Sequence, residues 1–276
     1  AEFGDTTING IAKITGNIKS SKVIISNNGT LEISENLENV NSITVNGTLI
    51  SNIGSDFTIG NKFVSDSKGT IQTINENSKV IVDTDFIGPI NFDCKGNLII
   101  NEGKNVVCGN VDAKNVTNNG TFKSENLKVE DTFVNSNTGT ATVNTKLTSG
   151  TVTNNGTLTI NGDIEATSVE ILSGTLSIDG NKLASDNVNA ILISESATLI
   201  SMNSFTIGNN FDSNSKGTIK TEDSDYEITI NTNFDGPINF DCVGNITLEA
   251  NNEVNFGTVK ANTFTKKTPT NKGERF

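Results

Sequence analysis

The chain has 276 residues, of which 33% are apolar and 19% are charged, and its polar part is dominated by 43 Asn and 36 Thr. It contains no His, which excludes a Ser/His/Asp triad, a Cys/His pair and a His-ligated zinc or iron. It contains only one Arg, Arg275. A formal net charge of −12 argues against nucleic acid as a partner, because phosphate binding needs clustered Lys and Arg.

Short segments of alternating apolar and polar residues run along the whole chain. They begin at 31–34 and 43–46 and return at 158–161, 176–179 and 228–231. The apolar residues are mostly β-branched or Leu, and a period of two is typical of half-buried strands. Because no long window has the i, i+3, i+4, i+7 pattern of an amphipathic helix, we predict almost no helix.

The turns between these segments reuse one sequence, Asn-Gly-Thr. It occurs at 28–30, 46–48, 119–121 and 155–157, and further Gly-Thr pairs extend the series at spacings that cluster at 17–20 residues. Asn and Gly tolerate positive φ, so the sequence predicts tight turns that use this conformation.

A longer repeat contains the shorter one. Residues 57–61, 67–71 and 88–94 recur at 205–209, 215–219 and 236–242, at a constant offset of 148. We therefore divide the chain into a first copy, about 8–150, and a second copy, about 151–265.

A repeated unit of about 20 residues cannot bury an apolar face alone, but stacked units can. The sequence predicts an all-β fold, a single right-handed parallel β-helix (β-solenoid) over 1–265, followed by a basic, disordered linker or tail over 266–276. Roughly 13 coils would give a rod on the order of 60 Å long. The alternative is a pair of β-sandwiches, one for each copy.

These Asn-, Gly- and Thr-rich tandem coils with scarce Cys resemble the β-helical passenger regions of autotransporter and filamentous-haemagglutinin-type bacterial surface proteins, including the rickettsial surface antigens. The resemblance extends over the whole chain in its composition and its tandem repeats, and it involves no diagnostic motif. It implies an extracellular protein of the bacterial cell surface, associated with the outer membrane and with virulence.

The three cysteines are predicted to be packing residues. Cys94 and Cys242 both end the string Gly-Pro-Ile-Asn-Phe-Asp-Cys, in which Ile, Phe and Cys would share one strand face. Cys108 corresponds to Phe256 in the second copy, and a site that accepts Phe in place of Cys indicates packing. The alternative is one disulfide and one reactive thiol.

Carboxylates are the remaining candidates for catalysis, since β-helix enzymes that cleave polysaccharides use them. The candidate pairs are Asp83 with Asp85, Asp93 with Asp241, and Asp223 with Asp225. The first pair becomes Asn231 and Asn233 in the second copy, and Asp93 and Asp241 are expected to face outward. We interpret all of them as solvated surface acids, so no catalytic residue is predicted.

Other site chemistries find little support in the sequence. No calcium-binding loop with a terminal Glu occurs, so neither a metal site nor a cofactor is predicted. Six Asn-x-Thr sequons occur, and turn chemistry explains the four that are Asn-Gly-Thr, without glycans. Thr-x-Thr pairs such as 140/142 are too irregularly placed for an ice-binding face.

We expect a non-enzymatic extracellular repeat region of a bacterial surface or secreted protein, cut from a longer polypeptide. It would act as an adhesin or rigid stalk that presents loops, chiefly around 72–96 and 220–244, to a host cell-surface or extracellular-matrix protein or glycan. The alternative is a β-helix that binds or degrades polysaccharide. The longest apolar runs are three or four residues, so no transmembrane segment is expected.

Overall fold

A computed structural model of the chain describes residues 2–184 and 186–269. The fold is all-β, with 62% strand and 2% helix. The helix is a single turn, α1 (Gly180–Leu183). The strands in chain order are β1 (Glu2–Ile8), β2 (Ile11–Ile14), β3 (Lys19–Ile25), β4 (Thr30–Ile33), β5 (Asn39–Val40), β6 (Ile43–Val45), β7 (Thr48–Ser51), β8 (Phe57–Ile59), β9 (Thr70–Thr73), β10 (Lys79–Val82), β11 (Phe86–Ile100), β12 (Asn105–Asn118), β13 (Thr121–Asn135), β14 (Thr140–Asn154), β15 (Thr157–Ile160), β16 (Asp163–Ile171), β17 (Gly174–Ile178), β18 (Val188–Ile193), β19 (Ala197–Ser201), β20 (Phe205–Ile207), β21 (Thr218–Thr221), β22 (Glu227–Ile230), β23 (Phe234–Cys242), β24 (Asn245–Leu248), β25 (Val254–Lys260) and β26 (Thr263–Lys266).

The alternation of apolar and polar residues in the sequence matches the alternation of buried and less buried side chains along the strands. In β4, the side chains of Leu31 and Ile33 are buried, and those of Thr30 and Glu32 are only partly covered. Because successive side chains on a strand point to opposite faces, every second residue enters the interior. The core is therefore one continuous set of stacked Ile, Val, Leu and Phe side chains enclosed by the coils.

Each complete coil has three faces, which β12 shows within a single strand. Residues 105–108 form face 1, residues 110–113 form face 2 and residues 115–118 form face 3, and each segment pairs in parallel with its counterpart in β13. β13 pairs with β14 in the same way. The chain continues this pattern for about 14 turns, close to the roughly 13 that the spacing predicts. The predicted parallel β-solenoid is confirmed, and the two-sandwich alternative is wrong.

The two copies of the sequence repeat lie on different faces. In the first copy, β9 pairs with the part of β11 that continues along face 2. In the second copy, the matching strand β21 follows β19, which continues face 1 from β15 and β17. A strand and its counterpart 148 residues later are therefore one face apart around the solenoid axis.

The Asn-Gly-Thr turns form as predicted, but the conformational reason that we gave for them is wrong. Within the described residues, positive φ occurs only at Gly103, Gly174 and Asn251. The turn glycines are required because neighbouring coils approach closely: a Cβ atom on Gly47 would lie 2.2 Å from the carbonyl oxygen of Gly29. The repeat of Gly follows from the stacking of coils rather than from the backbone angle of each turn.

The solenoid extends slightly past the predicted boundary at residue 265. Lys266 is the last residue of β26, and the backbone N–H of Lys267 donates to the carbonyl oxygen of Leu248 on the preceding coil. Residues 270–276 of the predicted tail, including Arg275, lie outside the described residues. None of the described residues belongs to a helix long and apolar enough to cross a membrane.

Candidate functional site

A groove runs along the solenoid where face 2 turns into face 3. Its wider part has a volume of about 450 Å³ and is lined by Glu76, Cys94, Lys95, Asp112, Ala113, Lys114, Lys128, Val129, Glu130, Thr148, Ser149 and Gly150. A narrower part of about 250 Å³ is lined by Thr148, Ser149, Glu165, Ala166, Thr167, Asp186, Asn187 and Asn189. The two parts share Thr148 and Ser149, so the groove is continuous. It crosses seven successive coils, a length of about 30 Å at ~4.8 Å per coil.

Small side chains form the floor of the groove. The last inward position of face 2 is Cys94, Ala113, Val129, Ser149 and Ala166 on successive coils, which pair in register. All five are buried. Four of them have side chains too small to fill this corner, and the turn from face 2 to face 3 is only one or two residues long in these coils. The outer surface is therefore concave at this corner.

Charged side chains form the walls, and half of them have an ion-pair partner among the described residues. Nζ of Lys128 lies 2.7 Å from Oδ2 of Asp112, and this hydrogen bond, with the charge of Asp112, raises the pKa of Lys128. Nζ of Lys95 lies 3.8 Å from Oδ1 of Asp93. Such exposed pairs contribute about 0–1 kcal/mol to stability. The walls can therefore exchange these partners for a ligand at little cost to the fold.

Lys114 differs from the other lysines of the groove. It lies near the middle of the wider part and is half-buried. No carboxylate among the described residues lies within ion-pair distance of its ammonium group. Lys114 is thus the cation of the groove whose charge is available to a ligand.

Two of the predicted carboxylate pairs do not form a shared site in the structure. Asp93 and Asp241 face outward as predicted, but they lie on faces 2 and 1 respectively and do not come together. Oδ1 of Asp85 accepts a hydrogen bond from the backbone N–H of Asn105 over 2.8 Å, and Asn233 makes the same bond to Glu253 in the second copy. The acceptor oxygen is retained there and the charge is not, which indicates a structural role.

The third pair is part of a turn. Oδ1 of Asp223 accepts from the backbone N–H of Asp225 over 2.9 Å. Among the described residues, no group of three or more His, Cys, Asp or Glu side chains could hold a metal ion.

One pair of carboxylates was missed by sequence reasoning. Asp93 lies directly opposite Asp112 on the next coil of face 2. In the second copy, Asp112 is replaced by Lys260, and Nζ of Lys260 lies 3.2 Å from Oδ1 of Asp241. The only sequence signal is a separation of 19 residues, which equals one coil at this point.

The cysteines are packing residues, as predicted. Cys94, Cys108 and Cys242 are free and buried. Burial, and to a smaller extent the negative charge of Asp93, raises the pKa of the Cys94 thiol to about 12. Although Cys94 lies at the groove floor, it is a neutral thiol at physiological pH and a poor nucleophile.

Comparisons with protein-family models, curated proteins and solved structures found no significant match to this chain.

Proposed function

We propose that this chain is a non-enzymatic, extracellular rod of a bacterial surface or secreted protein, and that it acts as an adhesin whose groove binds a linear, hydroxyl-rich glycan of the host surface or matrix. The observation that carries the proposal is the continuous open groove across seven coils. A groove of this length fits an extended polymer better than a compact small molecule, which favours an enclosed pocket. The resemblance to autotransporter passenger regions supports the cell-surface location.

The chemistry of the walls favours a ligand rich in hydroxyl groups over a polyanion, because five acidic side chains and three lysines line the two parts of the groove. Asp112, Glu130 and Thr148 offer acceptors and a hydroxyl, and the ammonium group of Lys114 offers a donor. Among the described residues, no aromatic side chain lines either part of the groove, so binding would depend on hydrogen bonds rather than ring stacking. The groove also includes Glu76 and Lys95, from the segment 72–96 where we expected contacts.

The proposal is tested with defined glycans and one matched pair of variants. Binding of hyaluronan, heparin and neutral dextran to the whole chain is measured by titration calorimetry, with Lys114→Ala and Lys123→Ala as variants. Lys123 is an exposed lysine on face 1, outside the groove.

We expect neutral dextran to bind more tightly than heparin or hyaluronan, long oligosaccharides to bind more tightly than disaccharides, and only Lys114→Ala to weaken binding. Binding of none of these glycans, or an equal loss in both variants, would contradict a glycan-binding groove and would favour a passive stalk. Tighter binding of heparin than of dextran would contradict the preference for a neutral glycan. Turnover of any of these glycans would contradict the non-enzymatic part of the proposal.

A further inference from the structure

A second surface stands out at the corner between faces 1 and 2 in the second copy. Met202, Tyr226 and Val243 lie at this corner on three successive coils. The side chains of Met202 and Val243 are 38% and 50% exposed, and that of Tyr226 is half-buried. A backbone hydrogen bond joins neighbouring coils at this corner: the N–H of Asn245 donates to the carbonyl oxygen of Tyr226 over 3.1 Å.

This apolar corner is the counterpart of part of the groove region. At the offset of 148, Tyr226 and Val243 correspond to Ser78 and Lys95 of the first copy. Met202 follows the string Leu-Ile-Ser at 199–201 as Asn52 follows it at 49–51, so each apolar residue replaces a polar one. The neighbouring small residues are retained, because the buried Cys242 and the partly buried Ala261 correspond to Cys94 and Ala113. The same packing thus supports both kinds of surface. Packing does not explain why the second copy exposes apolar side chains here.

The residue types are those that protein interfaces favour. Met202 and Tyr226 are the only Met and the only Tyr of the chain, and both types are enriched in interface cores, where a few such residues carry most of the binding energy. Acidic side chains border the corner: Glu222, Asp223 and Asp225 are exposed in the turn that leads to Tyr226. An apolar centre with an acidic rim complements a basic partner.

We propose that this corner, Met202, Tyr226 and Val243 with the acidic turn 222–225, docks an extended basic segment of a partner protein in which apolar side chains alternate with Lys or Arg. The apolar side chains of the segment would pack on the corner, and its basic side chains would pair with the acidic turn. A second copy of this chain is disfavoured as the occupant, because its net charge of −12 would repel the same rim. The site shares no residue with the glycan groove, which lies at the corner between faces 2 and 3.

The test uses three short, end-blocked peptides: alternating Lys and Leu, alternating Lys and Ser, and alternating Glu and Leu. Binding to the full chain is followed by the anisotropy of a labelled peptide. The emission of Tyr226 gives a second readout, because the chain has no Trp and no other Tyr. Val243→Lys introduces the residue that the first copy carries at the corresponding position, and the control Ile87→Lys changes a more exposed apolar residue on face 1.

We expect the Lys/Leu peptide to bind most tightly and to change the emission of Tyr226. Val243→Lys should weaken it by about tenfold, as for the loss of one anchoring side chain, and Ile87→Lys should leave it unchanged. Equal binding of the Lys/Ser peptide, equal effects of the two variants, or no binding of the Lys/Leu peptide would each overturn the proposal. Concentration-dependent dimerisation that Val243→Lys abolishes would also overturn it, since the occupant would then be a second copy.

Discussion

Nδ2 of Asn118 donates to Oδ1 of Asn135 on the next coil over 2.8 Å, inside the solenoid and shielded from solvent. Asn135 donates in turn to Oδ1 of Asn154 over 2.8 Å and to the carbonyl oxygens of Gly139 and Thr157. The three side chains form a ladder that satisfies turn carbonyls between faces 3 and 1. Buried amides of this kind stabilise only while every partner is present.

We therefore expect Asn135→Ala to lower the free energy of unfolding by about 3 kcal/mol, because it leaves buried donors and acceptors on both neighbouring coils without partners. Asn137→Ala, at an exposed position of the same turn, is the control and should change stability by less than about 0.5 kcal/mol. Urea unfolding followed by circular dichroism measures both. Similar unfolding midpoints for the two variants would show that the ladder contributes little.

The fold was predictable because two periods in the sequence report directly on packing. Strands such as β4 show the period of two, and the recurrence of Asn-Gly-Thr shows the length of a coil. The ladder was not predictable, because Asn118, Asn135 and Asn154 look like the many exposed Asn residues in turns until their side-chain direction is known.

The face occupied by each copy was equally hidden. An offset of 148 residues does not reveal how many faces the chain passes, since coil lengths vary. The groove depends on the same information, because its floor residues, such as Cys94 and Ala113, come together only when the register between coils is known.

Gly47→Ala should destabilise the solenoid through the close approach of its coils. The added Cβ would lie 2.2 Å from the carbonyl oxygen of Gly29, so the two coils must separate, and we expect a loss of about 3 kcal/mol. Gly60→Ala is the matched control, since no atom lies within 4 Å of the corresponding Cβ. Thermal unfolding of both variants is the measurement, and equal melting temperatures would contradict the steric explanation.

The pKa of Cys94 predicts how stability changes at high pH. Burial raises this pKa from 9.0 to about 12, so the folded chain holds the thiol proton more tightly than the unfolded chain. The resulting stabilisation is complete below pH 9 and is lost as the pH rises towards 12. Cys94→Ala should therefore show a weaker fall of the urea midpoint between pH 8 and 11 than the unchanged chain. Parallel curves for the two proteins would show that the thiol of Cys94 has the same pKa in the folded and unfolded chains.

The same burial predicts the reactivity of all three thiols. A disulfide-exchange reagent at pH 8 should modify none of Cys94, Cys108 and Cys242 in the folded chain, because each is at most 3% exposed. All three should react after addition of urea. Rapid modification of one thiol in the native protein would support the alternative of a reactive cysteine.

Substitutions of Asp85 distinguish a structural hydrogen-bond acceptor from a catalytic carboxylate. Its Oδ1 accepts from the N–H of Asn105, and Asn233 makes the equivalent bond at the same 2.8 Å in the second copy. Asp85→Asn should therefore leave stability within about 0.5 kcal/mol of the unchanged chain, because the amide keeps an acceptor oxygen. Asp85→Ala removes the acceptor and should cost about 1 kcal/mol, as loss of a capping side chain does. Urea unfolding at pH 7 distinguishes the two. If the Asn and Ala variants lose the same stability, the charge of Asp85 matters at this turn. The presence of Asn233 at the matching position would then reflect a different local environment in the second copy rather than a shared role.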